Sequence, residues 1–293
     1  IRCMAGHSWS KIRVNNITLI FFCCEMNPEN LIQIENLSFS YNENKPILKN
    51  ISLQIPAGKI TAIMGGSGSG KTTILRLISG QISPQHGSIK VFGQDITKLN
   101  YHQIYDIRRR LGLLFQFGAL FTDLSVAANI AFPLRENTNL SRNFIERIVA
   151  MKLEAVGLTG TQDLMPGELS GGMARRIALA RAMALDPELM LYDEPFTGLD
   201  PISLNTIAML IKKLNDQLKQ TAVLVTHDIA ATMEIADYIY FMSNGEVIAG
   251  GTTEEIRNSS NPAVKQFING EISGPFEFKY PSQYSYEHYL GLK

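Results

Sequence analysis

Gly65-Gly66-Ser67-Gly68-Ser69-Gly70-Lys71-Thr72 is the stretch on which the reading of this chain turns. It fits the pattern G-x-x-x-x-G-K-[ST] and stands where that pattern has a mechanism, after a short apolar strand and before a helix. The strand is Lys59–Met64. Thr73–Ser79 then carries apolar residues at helical spacing, and Gly80 supplies a stop. Residues without a Cβ let the backbone wrap close to a phosphate, so that successive N–H groups and the helix N-terminus face the anion. On this reading residues 65–70 form the cradle, Lys71 reaches the β- and γ-phosphates, the Thr72 hydroxyl ligates Mg²⁺, and Thr73 completes the nucleotide contacts. The motif points to a nucleoside triphosphatase and leaves its kind open.

Upstream, Leu31–Tyr41 and Leu48–Ile55 alternate apolar and polar residues like half-buried strands, and Pro56-Ala57-Gly58 ends the second. Downstream, Ser88–Phe92 reads as a strand closed by Gly93. From about Phe117 to Leu185 the pattern is mostly helical, with Phe144–Val156 and Gly171–Leu185 the clearest runs. Strands return at Leu189–Tyr192 and Ala222–Thr226, with a helix at about Ser203–Leu218 between them. Tyr238–Met242 and Glu246–Ala249 flank Ser243-Asn244-Gly245, a hairpin turn signal. Strands alternating with helices predict an α/β fold with a largely parallel sheet, and the helical block inserted between its halves predicts a separate lobe.

Two further stretches carry chemistry. Leu189–Tyr192 is an apolar strand that delivers Asp193 and Glu194 at its C-terminal end, where ligands of open α/β sheets collect. Asp193 is placed to hold Mg²⁺ through water, and Glu194 to polarise an attacking water. Leu169-Ser170-Gly171-Gly172-Met173 precedes an amphipathic helix. Ser170 can cap that helix, whose N-terminus is another anion site.

The order of the P-loop, Gln116, LSGGM, YDEP, TGLD and His227 resembles an ABC-type ATPase. The resemblance implies a RecA-like P-loop core with antiparallel β elements and an inserted helical subdomain at about 117–185. It implies that Ser170, Gly171, Gly172 and Met173 act in trans, on the γ-phosphate of an ATP held by a second copy of the chain. It further implies that Gln116 touches Mg²⁺ and the water and couples to a membrane subunit. Gly198-Leu199-Asp200 would cross the dimer interface, His227 would contact the γ-phosphate, and Tyr41 would stack on adenine, although Phe39 is nearby and an aromatic there also reads as core. The fifth signature residue is commonly Gln in the family, whereas Met173 has no strong hydrogen-bonding group. Arg175 and Arg176 read equally as phosphate electrostatics or as solvent-facing charge.

Longer stretches, Leu113–Val126, Met151–Leu158, Leu164–Arg176 and Gln266–Pro281, are similar to the ATPases of Mla-type phospholipid-transport systems of Gram-negative envelopes. That similarity implies an integral membrane permease, an MCE lipid-binding protein and a STAS-domain protein as partners. The permease would dock near Gln116–Pro133, and the chain would sit on the cytoplasmic face of the inner membrane. An aromatic-rich tail, residues 271–293, would reach the neighbouring ATPase subunit.

Composition fits this reading. Lys plus Arg and Asp plus Glu are 27 each, so no global field attracts nucleic acid or anionic lipid. Arg108-Arg109-Arg110 is the one notable basic cluster and reads as a solvated helix end. The three cysteines, Cys3, Cys23 and Cys24, lie in the first 24 residues, leaving no disulfide framework in the rest. Ile17–Cys24 is apolar but too short to span a bilayer. Met26 opens a sequence that reads as a domain, so residues 1–25 are expected to be an extension outside the functional domain, which runs over about 30–270. Two competing classes are a soluble ABC ATPase and a nucleotide sensor with a dead site. The absence of a basic surface weighs against the first, and intact Lys71, Asp193, Glu194 and His227 against the second.

Overall fold

Strands that read as unbroken apolar runs are buried on both faces, and here they form the centre of the molecule. The computed structural model describes residues 7–14 and 17–24 as backbone, and residues 30–42 and 45–275. The first strands are β1 (His7–Val14), β2 (Ile17–Cys24), β3 (Asn30–Asn42), β4 (Lys45–Pro56) and β5 (Ile60–Gly65). Helix α1 (Lys71–Ile78) follows, then β6 (His86–Val91), β7 (Gln94–Asp95), α2 (Tyr101–Arg109) and β8 (Leu111–Leu114). The helical block comprises α3 (Val126–Asn137), α4 (Arg142–Ala155) and α5 (Gly171–Ala182). After it come β9 (Leu189–Asp193), α6 (Pro201–Leu218), β10 (Thr221–Thr226), α7 (Ile229–Ile235), β11 (Tyr238–Ser243) and β12 (Glu246–Thr252). The last elements are α8 (Thr253–Arg257) and α9 (Pro262–Asn269).

Six strands form the main sheet in the order β12-β11-β5-β10-β9-β8, parallel except for the β11–β12 hairpin. Asn244 and Gly245 in that hairpin both have positive φ, as its two-residue turn demands. A second sheet, β4-β3-β6-β7, is antiparallel. Asn36 and Asn50 sit at φ 50° beside its register shifts, a conformation that asparagine tolerates. β1 and β2 pair antiparallel in a sheet of their own, with His7 opposite Cys24, so the apolar run 17–24 is a strand. The aromatic residues 276–293 lie outside the described residues.

Alternation along the central strands divides two cores. Ile63, Leu189, Leu191, Val223 and Val225 face α1 and the antiparallel sheet. Ile60, Met64, Met190, Ala222 and Leu224 face α6 and α7. A third core joins α3, α4 and α5 through Val126, Ile130, Leu134, Ile145, Val149, Leu153 and Ile177. Helix α5 belongs to two of these cores: Ile177 and Ala180 face the helical lobe, while Ala178, Leu179 and Met183 face the sheet.

Fully buried Asn129 fixes the loop that enters this lobe. Its amide donates to the carbonyls of Phe121, Leu124 and Ser125, and its oxygen accepts from the Phe121 amide. Asn129→Ala strips the Phe121 amide and the Leu124 carbonyl of their partner and is expected to cost about 3 kcal/mol. A denaturant titration checks this, with a shifted midpoint and an unchanged slope.

The arginine cluster departs from the solvated helix end expected of it. Arg108 donates to the carbonyls of Ser79 and Gly80, at the C-terminus of α1. Arg110 makes a bidentate pair with Glu188 at 2.6 and 2.8 Å and stacks on Phe92. Only Arg109 of the three is exposed. The charges do answer a helix dipole, but that of α1 as well as that of their own helix.

Candidate functional site

Parallel register brings the chemistry together. Thr226, the last residue of β10, lies opposite Met64 of β5, and Val225 lies opposite Asp193 of β9. The loop before α1, the Asp193-Glu194 pair and His227 therefore emerge side by side at the carboxyl end of the sheet. Gln116 follows two residues after Leu114, which pairs with Tyr192.

Gly70 caps α1 with φ 98°, a conformation open to glycine, so the helix starts at Lys71 rather than at Thr73. Lys71 is buried, and its ammonium donates to the carbonyls of Gly65 and Gly66, both at 2.9 Å. Burial pulls this lysine below its usual pKa, opposed by the carboxylates of Glu194 and Asp193. The Thr72 hydroxyl donates to Asp193 Oδ1 at 2.9 Å. Burial raises the Asp193 carboxyl above the usual range, while Thr72 and the cations Arg76 and Lys71 oppose that shift and Glu194 adds to it. Ser69 Oγ is buried and has no partner among the described residues. It is an orphaned donor in a cradle shaped for an anion.

Glu194 holds φ at 49°, in the left-handed region, which costs on the order of 1 kcal/mol for a residue with a side chain. Its amide donates to the Val225 carbonyl at 2.8 Å, which ties the residue to β10. Its Oε2 lies 2.8 Å from Nδ1 of His227 and accepts from the Thr197 hydroxyl at 3.3 Å. The carboxylate is thus clamped from two sides and aimed into the cleft.

That cleft, of about 480 Å³, is lined by Tyr41, Ile47, Ser67 through Thr73, Gln116, Glu194 and His227. Tyr41 is half exposed on its wall, not core, whereas neighbouring Phe39 is buried. The Tyr41 hydroxyl lies 3.4 Å from both Thr73 Oγ1 and Arg76 Nη1. Ile47 was not among the residues expected here; as one apolar residue at the start of β4 it carries no sequence signal.

None of Ser170, Gly171, Gly172 and Met173 lines this cleft. Ser170 caps α5 by accepting from the Met173 amide at 3.2 Å. The Met173 side chain packs against the core of the helical lobe, where a thioether serves better than an amide. Ser170 and Gly171 are exposed, and a side chain added at Gly171 would meet nothing within 4 Å. Gly172 abuts Ser203, so this turn borders the N-terminus of α6. There Asp200 caps the helix by accepting from the amides of Ile202 and Ser203 at 3.0 Å, and Gly198 and Asp200 are exposed. For Arg175 neither alternative fits, whereas Arg176 is half-buried. Arg175 is buried on main-chain carbonyls, and Arg176 donates to the carbonyl of Val156 at the end of α4.

Residues 48–197, just over half of the chain, match the family model for ABC transporters. The chain belongs to the ABC transporter family. The matched span holds the P-loop, Gln116, Ser170–Met173, Asp193 and Glu194 of this ABC ATPase, whereas Tyr41, Gly198–Asp200 and His227 fall outside it. The chain is 54% identical to the intermembrane phospholipid transport system ATP-binding protein MlaF of Haemophilus influenzae, over 87% of this chain and 96% of that protein. It is 48% identical to the protein of the same name from Escherichia coli K12, over 88% and 96%. Among solved structures it resembles the ATP-binding cassette MJ0796, a dimer in a post-hydrolysis state bound to ADP and Pi. The TM-score is 0.70 at 30% identity, over 76% of this chain and 98% of that one.

Proposed function

We propose that this chain is the ATP-hydrolysing subunit of a phospholipid transporter of the Mla type, working as a pair of identical chains. The observation that carries the pairing is the separation within one chain. The P-loop cleft lacks the LSGGM turn, and that turn stands exposed outside it at the N-terminus of a helix. A second copy supplies each with the other. The cassette MJ0796 is a dimer, and the phospholipid cargo is supported by the two MlaF proteins, each similar over nearly its whole length.

The roles follow from the positions. Lys71, the amides of residues 65–70 and Ser69 bind the phosphates, and Tyr41 supports adenine. Lys71 leaves the Gly65 and Gly66 carbonyls to meet the anion, and its buried charge gains the partner that burial denies it. Thr72, Asp193 and Gln116 are hard oxygen donors of the kind Mg²⁺ takes, Asp193 through water. Bound Mg²⁺ neutralises charge on the phosphates. Glu194 accepts the proton of the attacking water, and His227 holds that carboxylate from the γ-phosphate side. Gly198-Leu199-Asp200 lies at the interface between the two chains.

No helix among the described residues is long and apolar enough to cross a membrane. Contact with the bilayer is assigned to the permease on the similarity to the MlaF proteins. A groove of about 440 Å³ beside Gln116 offers Phe115, Phe121, Phe132 and Pro133 to a cytoplasmic element of that subunit. The chain then sits on the cytoplasmic face of the inner membrane, with an MCE lipid-binding protein and a STAS-domain protein in the same complex. Residues 30–270 form the ATPase domain, with residues 1–25 outside it, and the tail 271–293 docks on the neighbouring subunit.

A tagged chain purified from detergent-solubilised membranes is expected to bring down a polytopic subunit and bound phospholipid. Reconstituted in vesicles, that complex should move a fluorescent phospholipid only with ATP and Mg²⁺. Copurification with a permease that carries no lipid and moves none would contradict the cargo.

A further inference from the structure

The side chain that joins the two half-sites of one chain is Arg175. It projects from the second turn of α5, the helix whose first turn is the exposed Ser170-Gly171 corner, and it is 6% exposed. Nη1 donates to the main-chain carbonyl of Gln116, with the carbonyls of Phe115 at 3.4 Å and Glu194 at 3.5 Å beside it. Nη2 donates to the carbonyl of Thr197 at 3.1 Å. One guanidinium therefore spans the loop that carries Gln116 and the loop that carries Glu194 and Thr197, the residue whose hydroxyl holds the Glu194 carboxylate.

The same helix grips the Gln116 loop further along. A Cβ at Gly118 would lie 3.0 Å from that of Ala178, and Arg181 donates to the carbonyls of Gly118 and Ala119, both at 2.8 Å. Residues 175, 178 and 181 thus bolt residues 115–119 to α5, and Arg175 extends the body to the second loop. Arginine suits this place because its planar fork presents donors in two fixed directions at once, whereas a lysine offers a single point charge. The donors are ionised and shielded from water, which makes each contact stronger than a neutral one.

We propose that Arg175 is a positioning residue that couples the two ATP sites: it makes the signature helix, Gln116 and Glu194 of one chain move as one body. Engagement of the partner's phosphate by Ser170 would then set the water-activating groups of the chain's own cleft. This rests on the assignment of Ser170–Met173 to the partner's nucleotide.

The test uses the full-length chain with Arg175→Lys and Arg175→Gln, followed by nucleotide binding and steady-state hydrolysis over a range of ATP concentrations. Both variants should bind ATP within about twofold of the parent and lose at least about tenfold in kcat, with KM little changed and with reduced cooperativity in ATP. Lys should restore no more than a small part of the loss. A kcat and cooperativity equal to the parent's in either folded variant would overturn the coupling role. So would a parallel fall of ATP affinity and kcat, or loss of the fold in both, since those are the marks of a strut. Ser170→Arg in parallel separates the premises: full turnover there refutes the trans assignment, whatever Arg175 does.

Discussion

Glu194→Gln is expected to keep the fold and the ATP affinity while lowering steady-state hydrolysis by about 10²- to 10⁴-fold, the range a positioned general base contributes. The amide is nearly isosteric with the carboxylate, and its oxygen can still accept from Thr197 and His227, which hold the carboxylate at 3.3 and 2.8 Å. The backbone, at φ 49° and anchored to Val225, is asked for nothing new. What disappears is the basicity that takes the proton of water. Because ATP then binds without being consumed, the closed pair of chains should accumulate, visible as an ATP-dependent dimer in sedimentation. Phosphate release at the parent's rate would remove Glu194 from its role.

Ser170→Arg is expected to act on the other chain. Ser170 is exposed and its hydroxyl caps α5, so the substitution costs the chain about 1 kcal/mol of capping. The cleft that binds ATP in the same chain contains no atom of Ser170, and affinity of the single chain for nucleotide should stay near the parent's. Hydrolysis should fall by at least about 100-fold, as for loss of an anion-stabilising donor, because the new side chain fills the place of the partner's phosphate. Collapse of ATP affinity in the isolated chain would show that Ser170 acts in cis.

Much of this was legible in the sequence because the residues concerned are governed by local rules. The strand–loop–helix at 59–79, the apolar strands 189–192 and 222–226, and the Asn244-Gly245 turn appear where pattern and turn chemistry place them. The four-stranded antiparallel sheet was less so, since two half-buried strands do not say with whom they pair. The basic run 108–110 marks only the end of α2, while its start escapes notice although Asn100 and Gln103 form a capping box there, and α8 escapes altogether despite the same device at Thr252 and Glu255. Arg175 could not be found from spacing at all. A charged residue next to another after the signature reads equally as phosphate electrostatics or as solvent-facing charge, and only the tertiary meeting of two loops with α5 shows that its acceptors are carbonyls. Met173 is similar: its departure from the usual Gln becomes intelligible once its neighbours are the apolar residues of the helical lobe.

Exchange of half-sites between chains is the central claim, and mixed dimers test it most directly. One chain carries Lys71→Ala, the other Ser170→Arg, and both carry Glu194→Gln so that a closed dimer is held. Two different affinity tags isolate the mixed pair, and the radiolabelled ATP that survives a chase with excess unlabelled ATP is counted per dimer, so that only nucleotide occluded between the chains registers and ATP bound reversibly to one P-loop does not. Each parent pair should retain none, because both of its composite sites are broken. The mixed dimer should retain one ATP, in the site built from the intact P-loop of the Ser170→Arg chain and the intact signature of the Lys71→Ala chain. A mixed dimer that retains no more than its parents, or a Ser170→Arg pair that retains two, would contradict the account.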